Sequence, residues 1–263
     1  MDKNFLFIVP RFANINQYYF FPYGLGYVVS NMKKHGFNVS CLNLCHHKES
    51  IEYLISEAIK KQNIDVVCTG AMSIHWDQVD AVLATVKSVN PDILTIVGGA
   101  IITSDIELTL RNMQIDFGVV GEGEESIVEL ADALCKDKDI TKIKGITYIN
   151  KDKKLIITEA RPPMKDLNSL PFPDYEGVEF DKWLEFDQIE RGGLTGLLFD
   201  ITNKPRIAEI SASRSCPFRC TFCFHPLGNR YRQRSLDNVF KEIEYLKQFG
   251  YEKNERNYTD VIK

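Results

Sequence analysis

DVVCTGAMSIHWDQVDAVLATVKSVNPDILTIVGGA, residues 65–100, decides the fold. Asp65–Gly70 and Ile93–Gly98 are short apolar runs, each closed by a glycine. Between them Val79, Val82, Val86 and Val89 recur every three or four residues, the spacing of a helix that buries one stripe. Two apolar strands joined by a helix read as a parallel pair with a crossover connection. Strands that lack alternation are buried on both faces.

The unit repeats in both directions. Upstream, Phe5–Val9 reads as the first strand, and Leu25, Val28, Val29 and Met32 mark a helix that stops at Gly36. Asn38–Leu44 reads as the second strand, before a helix carrying Ile51, Leu54, Ile55, Ala58 and Ile59. Downstream, Ser104–Met113 reads as a helix, Phe117–Val120 as the fifth strand, and Ile127, Val128, Leu130, Ala131 and Leu134 as a further helix. Right-handed crossovers then give an α/β fold, a doubly wound parallel sheet of flavodoxin-like or dinucleotide type. Ligands of such sheets lie outside the carboxyl ends of the strands. Here that points to the loops Pro10–Tyr23, Ala71–Trp76, Gly99–Ser104 and Gly121–Glu125.

Past Ile140 the pattern changes, so residues 1–140 read as one domain. In 141–205, GITYINKDKKLIITEA alternates about a polar turn and predicts a hairpin, and the proline-rich RPPMKDLNSLPFPDYEG predicts a linker. Residues 206–263 begin with a short strand, Arg206–Ile210, followed by a cysteine-rich loop. Ser235 then N-caps a helix bearing Leu236, Val239, Phe240, Ile243 and Leu246, which Gly250 stops. YEKNERNYTDVIK, at the end, predicts no further element.

A net charge of −4 gives no reason to expect nucleic acid or a membrane surface as partner. Phe5–Val9 is too short for a signal or spanning segment, so a cytoplasmic, reducing compartment is expected. Seven cysteines, an odd number, argue against a disulfide framework there. Cys41, Cys45, Cys68 and Cys135 read as small buried hydrophobes.

A dinucleotide fingerprint is missing. Gly24-Leu-Gly26 lies well past the first strand and lacks a third glycine, and strand 2 ends in Asn43-Leu44-Cys45 instead of an acid. Gly121-Glu-Gly-Glu-Glu-Ser126 suits a helix N-terminus but would repel a pyrophosphate. What the loops suit is a large flat ligand approaching the backbone at Gly24, Gly26, Ser73, Gly98, Gly99, Gly121 and Gly123, although glycines there also serve ordinary turns. His75, His46 and His47 read as solvated loop histidines.

SCPFRCTFCF, Ser215–Phe224, places Cys216, Cys220 and Cys223 at C-x3-C-x2-C spacing. Three thiolates so close repel one another unless a cation binds them. Structural zinc closes with four ligands, and His225 is the nearby candidate for the fourth. A disulfide would leave one thiol spare. A cubane iron–sulfur cluster suits three thiolates best, because it keeps one iron open for another molecule. Arg214, Arg219, Arg230, Arg232 and Arg234 nearby read as solvated charges that balance an acidic chain.

Cys216-Pro-Phe-Arg-Cys220-Thr-Phe222-Cys223, set before a helix, resembles the signature of radical S-adenosylmethionine (SAM) enzymes. The resemblance implies a four-iron four-sulfur cluster on the three cysteines. It further implies SAM chelated to the free iron, cleavage to a 5′-deoxyadenosyl radical, and Phe222 close to that cofactor. GLGYVVSNMKKHGFNV, VGGAIITSDIELTL, DFGVVGEGEESIVELADAL and DLNSLPFPDYEG look like segments of the subgroup with an N-terminal cobalamin-binding domain. That subgroup lays its corrin over the strand ends. No D-x-H-x-x-G motif is present and the strand 1 loop, Asn14-Ile-Asn-Gln17, has no histidine, so cobalamin is expected without that ligand.

The family barrel is larger than the segment beyond the linker here, so the resemblance implies only the first βα unit of an incomplete radical SAM (β/α) barrel, from a split gene or a truncated frame. The implied function is methylation or rearrangement of an unactivated carbon, on a small-molecule or peptide substrate, with a flavodoxin or ferredoxin as electron donor. A second polypeptide would carry the rest of the barrel. The alternative is a cobalamin-binding module with a vestigial cluster loop. A lone parallel strand would leave backbone groups and a helix face uncovered.

Overall fold

The computed structural model describes residues 3–13, 19–184, 208, 210–225 and 227–249. Strands β1 (Asn4–Val9), β2 (Asn38–Asn43), β3 (Val66–Gly70), β4 (Leu94–Gly98) and β5 (Phe117–Val119) run parallel in the order β2-β1-β3-β4-β5. This is the expected flavodoxin-like winding, with the order reversing between β1 and β3. The hairpin strands β6 (Ile146–Ile149) and β7 (Leu155–Ile157) continue the same sheet, antiparallel, beyond β5.

Residue alternation within β1 distributes the core. Phe5 and Phe7 pack with Val29 and Met32 of α1 (Tyr23–Lys34) and with Ile127 and Leu130 of α6 (Glu124–Lys136). Leu6 and Ile8 pack on the other face with Ile55 and Ile59 of α2 (Ile51–Gln62) and Val82 and Val86 of α3 (Trp76–Val89). The helix expected over Ser104–Met113 is present with a slightly later start, and a short helix precedes it. Asp105 adopts extended angles, φ −149° and ψ 95°, so α4 (Ala100–Ser104) ends and α5 (Ile106–Asn112) begins there. The Asp105 carboxylate accepts the Leu108 N–H at 2.9 Å, an N-cap that favours restarting the helix over continuing it.

The glycines closing β3 and β4 are adjacent in register. A Cβ on Gly70 would meet the Gly98 carbonyl, with its carbon at 2.8 Å, so the two strand ends can approach only without a side chain at Gly70.

Beyond the hairpin, the proline-rich segment leads into a buried aromatic cluster. Tyr175, Phe180 and Trp183 pack with Phe21 at centroid separations of 5.9, 4.9 and 5.5 Å, and the Trp183 indole donates to the Tyr19 carbonyl at 2.8 Å. His46 belongs to this region and is buried, correcting the expectation of a solvated loop histidine. Its Nε2 lies 2.8 Å from the Tyr19 hydroxyl and its Nδ1 2.9 Å from Glu179 Oε2, because the turn after β2 folds back beneath the segment carrying Glu179.

Burial alone would raise the Glu179 carboxyl, but hydrogen bonds from His46 and Lys182 outweigh it and hold the group at about 2. A depressed value stabilises the fold above the ordinary 4.5, and the contribution is lost as pH falls toward 2. Thermal melts of the wild type and Glu179→Gln should therefore differ above pH 4.5, the wild type being more stable, and converge as pH falls toward about 2. A constant gap across that window would rule out this linkage.

The strand expected at Arg206–Ile210 lies mostly outside the described residues, and Ala208 and Ile210 carry no strand. The strand before the cysteine loop is β8 (Ser213–Arg214), paired antiparallel with β9 (Arg232–Gln233). Its backbone groups thus find partners from the far side of the loop, and Arg234 N–H adds a bond of 2.9 Å to the Ala212 carbonyl. Ser235 caps α7 (Leu236–Leu246) as expected, accepting the Asn238 N–H at 3.3 Å. Leu246 is buried, but Leu236 and Phe240 of α7 stand exposed. Asn14–Gln17, Gly250 and residues 251–263 fall outside the described residues.

Candidate functional site

The carboxyl ends of β1, β3, β4 and β5 open into a cavity of about 900 Å³. Phe7, Cys68, Ile96 and Val119 form its floor, and the apolar and aromatic residues Phe12, Tyr19, Phe21, Tyr27 and Val28 its walls. Gly24, Gly98, Gly99, Gly121 and Gly123 line it as expected. Gly24 and Gly121 have open space where a Cβ would project, and a Cβ on Gly98 would meet only the Val119 carbonyl oxygen, at 4.0 Å. Gly99, at φ +85°, is instead required by its own turn, where a Cβ would lie 2.9 Å from the Ala71 carbonyl oxygen.

Two expected contacts fall elsewhere. Gly26 is buried in α1 against Pro173, whose Cβ would lie 3.0 Å from an added Cβ, and its carbonyl accepts the Asp174 N–H at 3.0 Å. Gly26 is small to admit the proline-rich segment. Ser73 is exposed and donates to Ser104 Oγ at 3.3 Å, while Met72, Ile74 and His75 of its loop line the cavity. His75 is half-buried, its ring 4.5 Å from that of Phe12, and burial lowers its pKa. It is a wall residue rather than a solvated histidine.

The far rim comes from the approach to the cysteine loop, Ser213, Arg214 and Ser215, and from its exit, Leu227. Of the arginines expected to be solvated, Arg232 and Arg234 are buried here instead, and Arg214 is half-buried. Arg214 pairs with Glu124 at 2.6 Å and lies with its Cζ 5.1 Å from the centre of the Tyr27 ring. Arg232 pairs with Glu122 at 2.8 Å. Arg234 pairs with Glu242, which also accepts the Tyr175 hydroxyl at 2.7 Å. The acidic stretch at the start of α6 supplies the counter-charges of Arg214 and Arg232, so GEGEES serves as a receptor for these two arginines as well as a helix start. Sequence reasoning placed Glu122 and Glu124 in a different domain from Arg232 and Arg214, and missed all three pairings. It also passed over the aromatic run Tyr19–Tyr23, a signal for an apolar wall that is visible in the sequence.

Cys216, Cys220 and Cys223 are exposed, as is Phe222 at 87%. The Cys223 N–H donates to the Cys220 carbonyl at 3.1 Å, forming a turn. Among the described residues no three His, Cys, Asp or Glu side chains gather into a group that could hold a metal, His225 included. The donor set suits a cubane in kind, while the loop does not hold its sulfurs in a ligating array. For a corrinoid the fit is closer, since a broad apolar floor and glycines open toward it match a flat macrocycle.

Residues 15–131 match the B12 binding domain family. Beyond this B12 domain match, an uncharacterized methyltransferase of Pyrococcus horikoshii is 30% identical over 195 residues, 73% of this chain and 39% of that protein. The anaerobic magnesium-protoporphyrin IX monomethyl ester cyclase of Rubrivivax gelatinosus is 28% identical over 230 residues, 86% of this chain and 39% of that protein. The chain thus spans well under half the length of these two relatives. Among solved structures, the radical SAM methyltransferase TsrM of Kitasatospora setae, with tryptophan and a SAM analog bound, superposes with a TM-score of 0.70 at 19% identity. It covers 95% of this chain and 46% of its own. The cobalamin-dependent SAM radical enzyme OxsB, with aqua-cobalamin and SAM bound, gives a TM-score of 0.70 at 18% identity, covering 96% of this chain and 33% of its own. These structural likenesses establish the fold. No helix among the described residues is long and apolar enough to cross a membrane.

Proposed function

We propose that the chain binds a corrinoid in the cavity over β1, β3, β4 and β5 and a four-iron four-sulfur cluster on Cys216, Cys220 and Cys223, as the N-terminal part of a cobalamin-dependent radical SAM enzyme. Its reaction is methylation or rearrangement of an unactivated carbon in a small molecule or peptide. One observation carries this reading: both ends of the cysteine loop, Ser215 and Leu227, form part of the cavity rim. The two cofactor sites would then share a wall, as a reaction that uses both requires.

Cluster and corrinoid would together supply one-electron cleavage of SAM and a methyl carrier. The chain's own residues bind and shield. Phe7, Ile96 and Val119 present an apolar floor that excludes water, and Gly24, Gly98 and Gly121 allow close approach of the macrocycle. No D-x-H-x-x-G histidine serves cobalt. Phe222, at the tip of the loop, would cover bound SAM. Flavodoxin or ferredoxin would supply electrons in the cytoplasm, and the remaining barrel strands would come from the rest of the enzyme or a second polypeptide.

The test is anaerobic gel filtration of the chain after incubation with hydroxocobalamin and, separately, with iron and sulfide. Co-elution of corrinoid, with iron retained in the second sample, is expected. Retained corrinoid without iron would reduce the chain to a corrinoid-binding module, a reading that the exposed thiols favour. Retention of neither would overturn the assignment.

A further inference from the structure

Glu122 stands between the two proposed sites and touches both sides. Its backbone is part of the loop after β5 that lines the cavity, yet its carboxylate points away from solvent, with 7% of the side chain exposed. Oε2 accepts the Met164 N–H at 2.7 Å and Arg232 Nη1 at 2.8 Å, and Oε1 is ion-paired with Arg232 Nη2 at 2.8 Å and Arg214 Nη1 at 3.6 Å. Burial raises the carboxyl's pKa, but the Arg232 hydrogen bond, the Met164 N–H and the two guanidinium charges more than reverse this and lower it, so the group stays ionised.

Arg232 carries the contact onward. Its Nη2 donates to Ser215 Oγ at 3.0 Å, and Ser215 Oγ donates in turn to the Leu227 carbonyl at 2.9 Å. Ser215 precedes Cys216 directly and holds a left-handed φ of +66°, an angle a serine keeps only when its surroundings impose it. The chain Glu122–Arg232–Ser215–Leu227 therefore ties the cavity loop to the two residues that close the base of the cysteine loop. An ion pair this deeply buried, between segments 110 residues apart, is a costly way to add stability alone.

We propose that Glu122 is a positioning residue: through Arg232 it sets the base of the cysteine loop and couples that loop to occupancy of the cavity. This coupling rests on the corrinoid reading given above, whereas the positioning does not. Reciprocity requires that a ligand pressing on the Gly121–Glu122 backbone alter the loop, and that the loaded loop alter ligand affinity.

Hydrogen exchange of the cofactor-free chain, read by mass spectrometry, tests the positioning first. In Glu122→Gln, peptides spanning 213–233 should exchange about tenfold faster or more, as expected for loss of a charge-assisted hydrogen bond. Sheet peptides from β1 and β3 should be unchanged. Ser215→Ala, which keeps the ion pair and cuts only the last link, should speed exchange in the same peptides. Unchanged exchange in 213–233 for both variants would overturn the positioning role whether or not any cofactor binds. If Glu122→Gln loosens the whole sheet, the serine variant alone decides.

The second arm adds hydroxocobalamin. Exchange in 213–233 should slow in the wild type and not in Ser215→Ala, each compared at a hydroxocobalamin concentration that saturates it. Equal slowing in the two would overturn the coupling, as would corrinoid bound to the wild type with no change in the loop. A wild type that binds no corrinoid would end both the coupling and the cavity assignment, and leave the positioning result standing.

Discussion

Anaerobic reconstitution of Cys220→Ala with iron and sulfide is expected to give no cubane absorption and only background iron. The wild type should give both. The middle cysteine of C-x3-C-x2-C has no substitute thiol in the sequence beyond Cys135, where Cys216 and Cys223 would then be the only cysteines left. A cluster left with two thiolates and two open irons is lost to solvent. Cys135→Ala serves as control, because Cys135 lies near the carboxyl end of α6 and is not one of the three loop cysteines. Wild-type iron content in Cys220→Ala would reject the ligand assignment. Stoichiometric zinc in anoxically purified wild-type protein would replace it with a structural metal site.

The second large effect concerns the floor of the cavity. Gly98→Val is expected to weaken hydroxocobalamin binding by about tenfold to a hundredfold, the consequence of forcing two methyl groups into space that the ligand would fill. The fold should tolerate the change. A Cβ at Gly98 meets nothing closer than the Val119 carbonyl oxygen at 4.0 Å, and valine suits a strand. Gly70, the neighbouring strand end, would be a poor choice for the same experiment, since its Cβ would collide with the Gly98 backbone and destabilise the sheet. Titration calorimetry of the variant beside a thermal melt separates the two effects. Unchanged affinity with an unchanged melt would place any corrinoid away from β4.

The sheet was largely legible because its information is local. Five apolar runs, each followed by a helical stripe, suffice to predict parallel strands, and right-handed crossovers restrict the winding to a few orders. Boundaries moved where a side chain competes for the backbone, as Asp105 does between α4 and α5. The glycines facing the cavity were legible in the same way, since the carboxyl ends of strands follow from strand positions. Gly26 and Ser73 were not separable from them in the sequence, because whether a loop residue meets a ligand, a proline or another serine depends on what folds over it.

By itself, the sequence determined the doubly wound sheet, the end of it at which the cavity opens, and the close spacing of three cysteines. These depend on periodicity and on spacing along a few residues. Only the tertiary structure decided that Glu122 and Glu124 face Arg232 and Arg214, that His46 is buried against Glu179, and that the ends of the cysteine loop reach the cavity rim. An ion pair between residues 110 apart leaves no periodic trace. Charged side chains read as solvated until the fold excludes water from both partners at once.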